Sequence, residues 1–302
     1  IALHLSNPYF FAGELIPGKV IVAPSVPVQA NTVTIKWKGF ERTKIRYYET
    51  EMKTGTDGQT TMVQVPHVAK EEKVFFNEKQ QVGFFPGGQV HVGTCEFPLQ
   101  FQVPMNVPGV FSYTDSSTTA AIVYKAKVML DNAQGKTVAK DKKKVTIVPS
   151  CTKHTKPVVI SNEKGFLLAR GKLRMTVQFD KDIFATHEQI PIRVNVENGT
   201  KKDVVALKVK LMQDLNIRSK HRTVNNTVEV SRQLFAGVKG NSNFEGVLMF
   251  ALKPDVFPST EGSLIQNTYH LDVECDVKMA IDLEVHPKIT LVLMPTSMSP
   301  QF

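Results

Sequence analysis

Glu14-Leu15-Ile16-Pro17 returns as Glu188-Gln189-Ile190-Pro191, and the same offset of 174 residues carries Val33, Ile35 and Trp37 onto Leu207, Val209 and Leu211. Further along, Phe101-Gln102-Val103-Pro104 is echoed by Phe250-Ala251-Leu252-Lys253-Pro254. Tyr124-Lys125-Ala126-Lys127-Val128 is echoed by Tyr269-His270-Leu271-Asp272-Val273. The order of the motifs is kept while their spacing contracts. Short matches in conserved order point to two similar domains in tandem with different loop lengths, since a solenoid would repeat every ~20–50 residues.

Within each repeat the dominant pattern has period two. Val33, Ile35 and Trp37 alternate with Thr34, Lys36 and Lys38, and Leu207, Val209 and Leu211 alternate with Lys208 and Lys210, as in strands with one buried face. Ala126, Val128 and Leu130, the turn Asp131-Asn132-Ala133-Gln134-Gly135, and Val145 to Val148 read as a hairpin. Its return strand opens on a lysine run. Arg193-Val194-Asn195-Val196-Glu197, the Asn198-Gly199 turn and the strand from Val204 read as a second hairpin. Val68 to Gln80 tolerates helix but is read as strand through Val74-Phe75-Phe76. Prolines (17) and glycines (18) punctuate the chain at short intervals, and helical periodicity is almost absent. The expected fold is all-β: two tandem antiparallel, immunoglobulin-like β-sandwich domains. The expected boundaries are a first domain over 1–152, a linker over 153–165, a second domain over 166–296 and a tail over 297–302. Pro149 to Pro157 supplies the break.

At 302 residues each half is long enough for its own core. No run approaches the ~18 apolar residues of a membrane-spanning helix, and the opening residues Ile1 to Leu5 lack the basic segment of a secretory signal. Cys95, Cys151 and Cys275 are widely spaced, which favours a reducing, cytoplasmic setting over a disulfide framework. The sequons Asn198-Gly199-Thr200 and Asn225-Asn226-Thr227 are the features that speak for secretion.

The net charge of +9 is concentrated. Lys136, Lys140, Lys142, Lys143 and Lys144 carry nearly the whole surplus of the first half. Lys208, Lys220 and Arg222 belong to a basic segment, from Lys201 to Arg222, that carries the surplus of the second. Such segments suit anionic partners or serve as solvated strand faces. Basic residues are not interleaved with exposed aromatics, so no nucleic-acid partner is expected.

Catalytic chemistry is not assembled. His91 and Cys95 stand four residues apart, ~13 Å along a strand, and no His pair has metal-ligand spacing. Asp272, Glu274 and Asp276 share one strand face, a pattern compatible with Ca²⁺ but commoner on solvated faces. Trp37 and Phe101 read as core. No enzyme activity, cofactor or metal is expected.

The succession Asn7-Pro8-Tyr9-Phe10-Phe11-Ala12-Gly13-Glu14-Leu15-Ile16-Pro17-Gly18-Lys19-Val20, Gly39-Phe40-Glu41 and Cys95-Glu96-Phe97-Pro98-Leu99-Gln100-Phe101-Gln102-Val103-Pro104 resembles an arrestin N-domain. Ile190 to Thr200, Val209-Lys210-Leu211-Met212-Gln213, Pro258-Ser259 and Tyr269 to Val273 resemble an arrestin C-domain. The resemblance implies a non-catalytic adaptor that links membrane-protein cytoplasmic tails to endocytic or sorting machinery, peripheral to the plasma membrane or endosomes. Val20-Ile21-Val22 runs into Ala23-Pro24, where receptor-regulating arrestins carry an acid of a phosphate-sensing cluster. The chain is thus more similar to the α-arrestins, the arrestin domain-containing proteins. It contains no PPxY, so ubiquitin-ligase recruitment is not expected. For such an adaptor the concentrated charge of Lys136, Lys140, Lys142, Lys143 and Lys144 is expected to attract acidic or phosphorylated cargo tails electrostatically. Anionic-lipid or inositol-phosphate contact is implied at Lys208, Lys220 and Arg222, although Met212, Asp272 and Glu274 depart from the family's basic pattern. A retromer-type arrestin-fold subunit and a secreted two-domain adhesion or glycan-binding protein are the alternatives.

Overall fold

The computed structural model describes residues 1–54, 56, 59–150, 154–165, 171–253 and 256–293. Its first repeat contains β1 (Ala2–Leu5), β2 (Tyr9–Phe11), β3 (Leu15–Val22), β4 (Val28–Gln29), β5 (Thr32–Thr54), β6 (Thr60–Phe84), β7 (Gln89–Val90), β8 (Cys95–Gln102), β9 (Phe111–Thr114), β10 (Thr118–Asp131) and β11 (Thr137–Val148). The second contains β12 (Val158–Gly165), β13 (Lys172–Phe179), β14 (Ile183–Ala185), β15 (Gln189–Asn198), β16 (Val204–Ser219), β17 (Arg222–Val238), β18 (Ser242–Ala251), β19 (Thr260–Glu261), β20 (Ile265–Val277), β21 (Leu283–Val285) and β22 (Lys288–Val292). Among the described residues no helix is long and apolar enough to cross a membrane.

The duplication read from short motifs extends to topology. One sheet of the first repeat runs β2-β11-β10-β5-β6 with β9 on β10, and one sheet of the second runs β14-β22-β20-β16-β17 with β19 on β20. The facing sheets are β1-β3-β8 and β12-β13-β15-β18. The echoed motifs occupy equivalent strands: Leu15 to Pro17 on β3 and Gln189 to Pro191 on β15, Tyr124 on β10 and Tyr269 on β20. Both tyrosines are buried and donate their hydroxyl to a carbonyl in the segment just before the preceding strand, Tyr124 to Pro108 ahead of β9 and Tyr269 to Phe257 ahead of β19.

Alternation explains why these segments are strands. On β15, Ile190, Ile192, Val194 and Val196 are buried, while the intervening residues stay at least partly exposed. β-branched residues pack well on such a pleated, half-buried surface. In the first repeat Trp37 stacks on Phe101 with ring centroids 4.5 Å apart, worth about 0.5–1.5 kcal/mol beyond the area buried. Glu41 is fully buried, and that burial pushes its carboxyl above the usual range against opposing backbone hydrogen bonds.

Two segments differ from the sequence reading. Arg193–Glu197 and the strand from Val204 do not form a hairpin: β15 pairs with β13 and β18, while β16 lies in the other sheet. Both strands turn apolar faces to the core, Val194 and Val196 from one sheet and Leu207 and Val209 from the other. Facing sheets require an arch between them rather than a tight turn. Asn198 builds that arch, its buried side chain accepting from Thr200 N and Oγ1 and donating to the carbonyls of Lys202 and Lys239. At 1% exposure its amide is engaged in the fold, so the first sequon is no surface acceptor. Val158–Gly165, read as linker, is β12, paired with β13 along its length. The strand reading of Val68 to Gln80 matches β6.

By compactness the chain divides into one unit of Ile1–Ser150, Asn216–Val224 and Thr260–Ile265 and another of Cys151–Leu215, Asn225–Ser259 and Gln266–Phe302. Cys95 and Cys275 are free thiols, the latter buried with its Sγ 3.5 Å from Met175 Sδ, and burial pushes its thiol up to about 12. Cys151 and the tail over 297–302 lie outside the described residues.

Gly39 sits at a β-bulge, where a Cβ would come within 2.6 Å of the Tyr124 ring and 2.7 Å of the Phe76 ring. The two rings are stacked on each other, 5.8 Å apart, so a methyl group here would have to displace them. Gly39→Ala is expected to cost about 1–3 kcal/mol through overpacking, read as a lower urea midpoint of the full chain.

Candidate functional site

The alternation that drives Ile35 and Trp37 inward on β5, and Ala126 and Val128 inward on β10, turns lysines outward. Register then aligns them across strands. Lys36 is opposite Lys127, which is opposite Lys142, and Lys38 is opposite Lys125, which is opposite Lys144. Lys79 of β6 extends the first row beyond Lys36. Neighbouring strands lie ~4.8 Å apart, so each row stacks like charges at close range. Only Lys38 has a carboxylate partner among the described residues, Glu72 at 2.6 Å. The ammonium groups of Lys38 and Lys125 stand 4.5 Å and 5.1 Å from the centre of the Phe40 ring. Burial lowers the pKa of Lys125, and the charges of Arg42, Lys142, Lys38 and Lys144 lower it further. Beside these rows a cleft of about 460 Å³ is lined by Arg42, Lys44, Lys70, Glu71 and Glu72.

The lysine run singled out in the sequence is divided by this geometry. Lys142 and Lys144 join the rows, and Lys140, opposite Met129, shares their face. Lys143 is opposite Ala126 and belongs to the other face of β11, while Lys136 closes the turn, its backbone N–H donating to Asn132 Oδ1. The reading missed Lys36, Lys38, Lys125 and Lys127. Each was visible as the polar member of an alternating strand, but nothing in the sequence states that two such strands, separated by more than eighty residues, lie in register.

The equivalent face of the second repeat is built differently. Motif alignment puts Lys210 where the first repeat has Lys36 and Asp272 where it has Lys127. Lys210 Nζ is 3.4 Å from Asp272 and 2.5 Å from Glu274, and Lys208 Nζ is 2.8 Å from Glu274 and 3.0 Å from Asp276. The acids read as a solvated face are in fact partnered, and Asp272 and Glu274 are buried. Burial raises the Glu274 pKa, but hydrogen bonds from Lys208 and Lys210 outweigh it and hold the carboxyl at about 2.

This pairing removes Lys208 from a free anion site. Arg222 is likewise engaged, bonded to Glu49 and seated 3.9 Å over the Tyr47 ring. Lys220 occupies a turn position with φ 54° and is exposed. Lys208 belongs to one compact unit and Lys220 and Arg222 to the other, so the three residues do not form one cluster within a unit.

Two tandem sandwiches sharing one strand order, each with a long central strand flanked by a hairpin, define an arrestin-type protein. Residues 1–153 match the family model "Arrestin (or S-antigen), N-terminal domain" and residues 169–296 match "Arrestin (or S-antigen), C-terminal domain". The chain therefore belongs to the arrestin family, a family of generally non-catalytic adaptors. It is 30% identical over 300 residues, 96% of its length, to "Arrestin domain-containing protein A" of Dictyostelium discoideum, covering 50% of that protein. It is 23% identical over 136 residues, 42% of its length, to "Arrestin, lateral eye" of Limulus polyphemus, covering 34% of that protein. The chain thus spans half or less of the length of these relatives.

Lys127→Glu would place an acid between Lys36 and Lys142, as Asp272 serves Lys210. It is expected to raise stability by about 0.5–1 kcal/mol in low-salt urea unfolding, with the gain shrinking as added salt screens the pairs. Glu274→Gln is expected to cost about 2–3 kcal/mol at neutral pH by leaving Lys208 and Lys210 underpaired. Because its folded pKa is depressed, the stabilisation is present above the unfolded carboxylate value of about 4.3 and is lost as pH falls toward about 2. The difference between variant and parent should therefore close across that window.

Proposed function

We propose that this protein is a cytoplasmic adaptor whose first unit captures anionic segments, the acidic or phosphorylated cytoplasmic tails of membrane-protein cargo, and presents them to endocytic or sorting machinery. The observation that carries this reading is the contrast between the two repeats. The same outward face is internally neutralised in the second, where Lys208 and Lys210 meet Asp272, Glu274 and Asp276. In the first it carries two lysine rows in which, among the described residues, only Lys38 has a carboxylate partner. Directly opposed like charges destabilise a sheet, so an external polyanion is the natural complement of this face. Phosphate oxygens suit it well, because hydrogen bonds between ionised partners are roughly twice as strong as neutral ones. Lys36, Lys127 and Lys142 form one rail, and Lys38, Lys125 and Lys144 the other.

Binding of a fluorescent peptide carrying two or three phosphoserines, measured by anisotropy on the full chain, tests the proposal. The phosphorylated peptide should bind at least about tenfold tighter than its unphosphorylated form, with affinity falling as salt rises. Charge reversal at Lys127 and Lys142 together should weaken it by about tenfold or more, whereas reversal at Lys143, on the other face, should leave it within about twofold. Equal loss from both variants, or none from either, would overturn the assignment of the site.

A further inference from the structure

In the second repeat, Asp272 of β20 and Glu284 of β21 converge with His286, the residue that follows β21 and precedes Pro287, so that one ligand atom from each lies within 4.8 Å of the others. His286 Nδ1 is 3.3 Å from Asp272 Oδ1 and His286 Nε2 is 3.9 Å from Glu284 Oε2. β21 pairs with β20 with Glu284 opposite Glu274, and that register carries the chain back toward Asp272. Asp272 is 8% exposed, and its Oδ1 is sealed from solvent without any hydrogen-bond donor. The His286 nitrogen is near enough for an ion pair, but not in hydrogen-bonding geometry. An unsatisfied buried carboxylate oxygen is costly, and here it points at two half-exposed side chains that can both donate lone pairs.

We propose that Asp272, Glu284 and His286 bind a divalent first-row transition-metal ion, for which Zn²⁺ is the probe. This departs from the sequence expectation of no metal, and it is independent of the peptide reading of the first unit. The donor set sorts the candidates. An imidazole with two carboxylates suits Zn²⁺ and its neighbours, whereas Ca²⁺ and Mg²⁺ favour all-oxygen shells. Three protein ligands leave a coordination position for water, which fits the exposure of Glu284 and His286 and marks an exchangeable site rather than a closed structural one. Metal bonds of ~2.0–2.2 Å need donors ~3.4 Å apart in a tetrahedral shell, a closing of up to about 1.4 Å from the present 4.8 Å span that rotation of the two half-exposed side chains can supply. Charge agrees as well. Lys210 takes the other Asp272 oxygen, but Lys208 and Lys210, with Arg232 also acting on Glu274, are three cations among the four acids Asp272, Glu274, Asp276 and Glu284, which leaves the cluster acidic.

The test is Zn²⁺ titration of the metal-stripped full chain by calorimetry, with thermal unfolding measured beside it. One ion per chain should bind, and a hundredfold excess over Kd should raise Tm by about 3–6 °C. His286→Ala and Glu284→Gln, both at half-exposed positions, should each weaken binding tenfold or more without lowering Tm in chelator. Asp272→Asn should weaken binding likewise but also lower Tm in chelator, because it removes a buried partner of Lys210, and the two surface variants keep the test decisive. His270→Ala serves as the control, since its ring lies 5.9 Å from that of His286 but its Nδ1 is bonded to Asp214. Absence of Zn²⁺ binding, or binding that survives His286→Ala, would overturn the site.

Discussion

The register of β5 against β10 is the constraint on which the first unit depends. Fourteen residues of each strand pair without a break, from Thr32 against Asp131 to Ile45 against Thr118. This alignment sets Trp37 beside Ala126 and Ile35 beside Val128 on the core side, and Lys36 beside Lys127 and Lys38 beside Lys125 on the other. A slip of one residue would exchange the two sets entirely. The cost of burying lysines and exposing Trp37 far exceeds the few tenths of a kcal/mol to about 1 kcal/mol at stake in each opposed lysine pair. The core therefore holds the lysines together, and their repulsion is too weak to change the pairing.

The two repeats show what such a scaffold leaves free to vary. Strand order and the buried tyrosines are common to both, since packing demands them. The outward charges are not. Replacing Lys127 by Asp272 at the equivalent position turns a repulsive row into a paired one at little expense to the core behind it. A duplicated sandwich can thus carry a neutralised face in one copy and an electropositive face in the other while folding by the same rules. The same freedom gives the second copy its surplus of carboxylates and the histidine beside them, His286.

How far the sequence could be read depended on whether a feature was local. Alternation in Val33 to Trp37 and Leu207 to Leu211 foretold strands and their inward faces, and the ordered echoes foretold two like domains, because both signals lie within a few consecutive residues. Asn198-Gly199 misled for the converse reason. Its turn propensity is real, but whether the flanking strands pair side by side or face each other depends on where both bury their apolar faces. The lysine run from Lys140 to Lys144 was conspicuous, yet only period two on a located strand separates Lys142 and Lys144 from Lys143. Lys208 looked available because its carboxylate partners lie more than sixty residues away in the chain.

By itself, then, the sequence determined the class of fold, the duplication and the supply of positive charge, since hydrophobic period, ordered repeats and composition are properties of neighbouring residues. Tertiary structure alone decided which charges stand together. It aligned Lys36, Lys127 and Lys142 into one row, gave Lys208 and Lys210 to Asp272, Glu274 and Asp276, and brought Glu284 and His286 to Asp272. Electrostatic interaction depends on distance in space, and long-range strand register, driven by burial of the opposite face, fixes that distance.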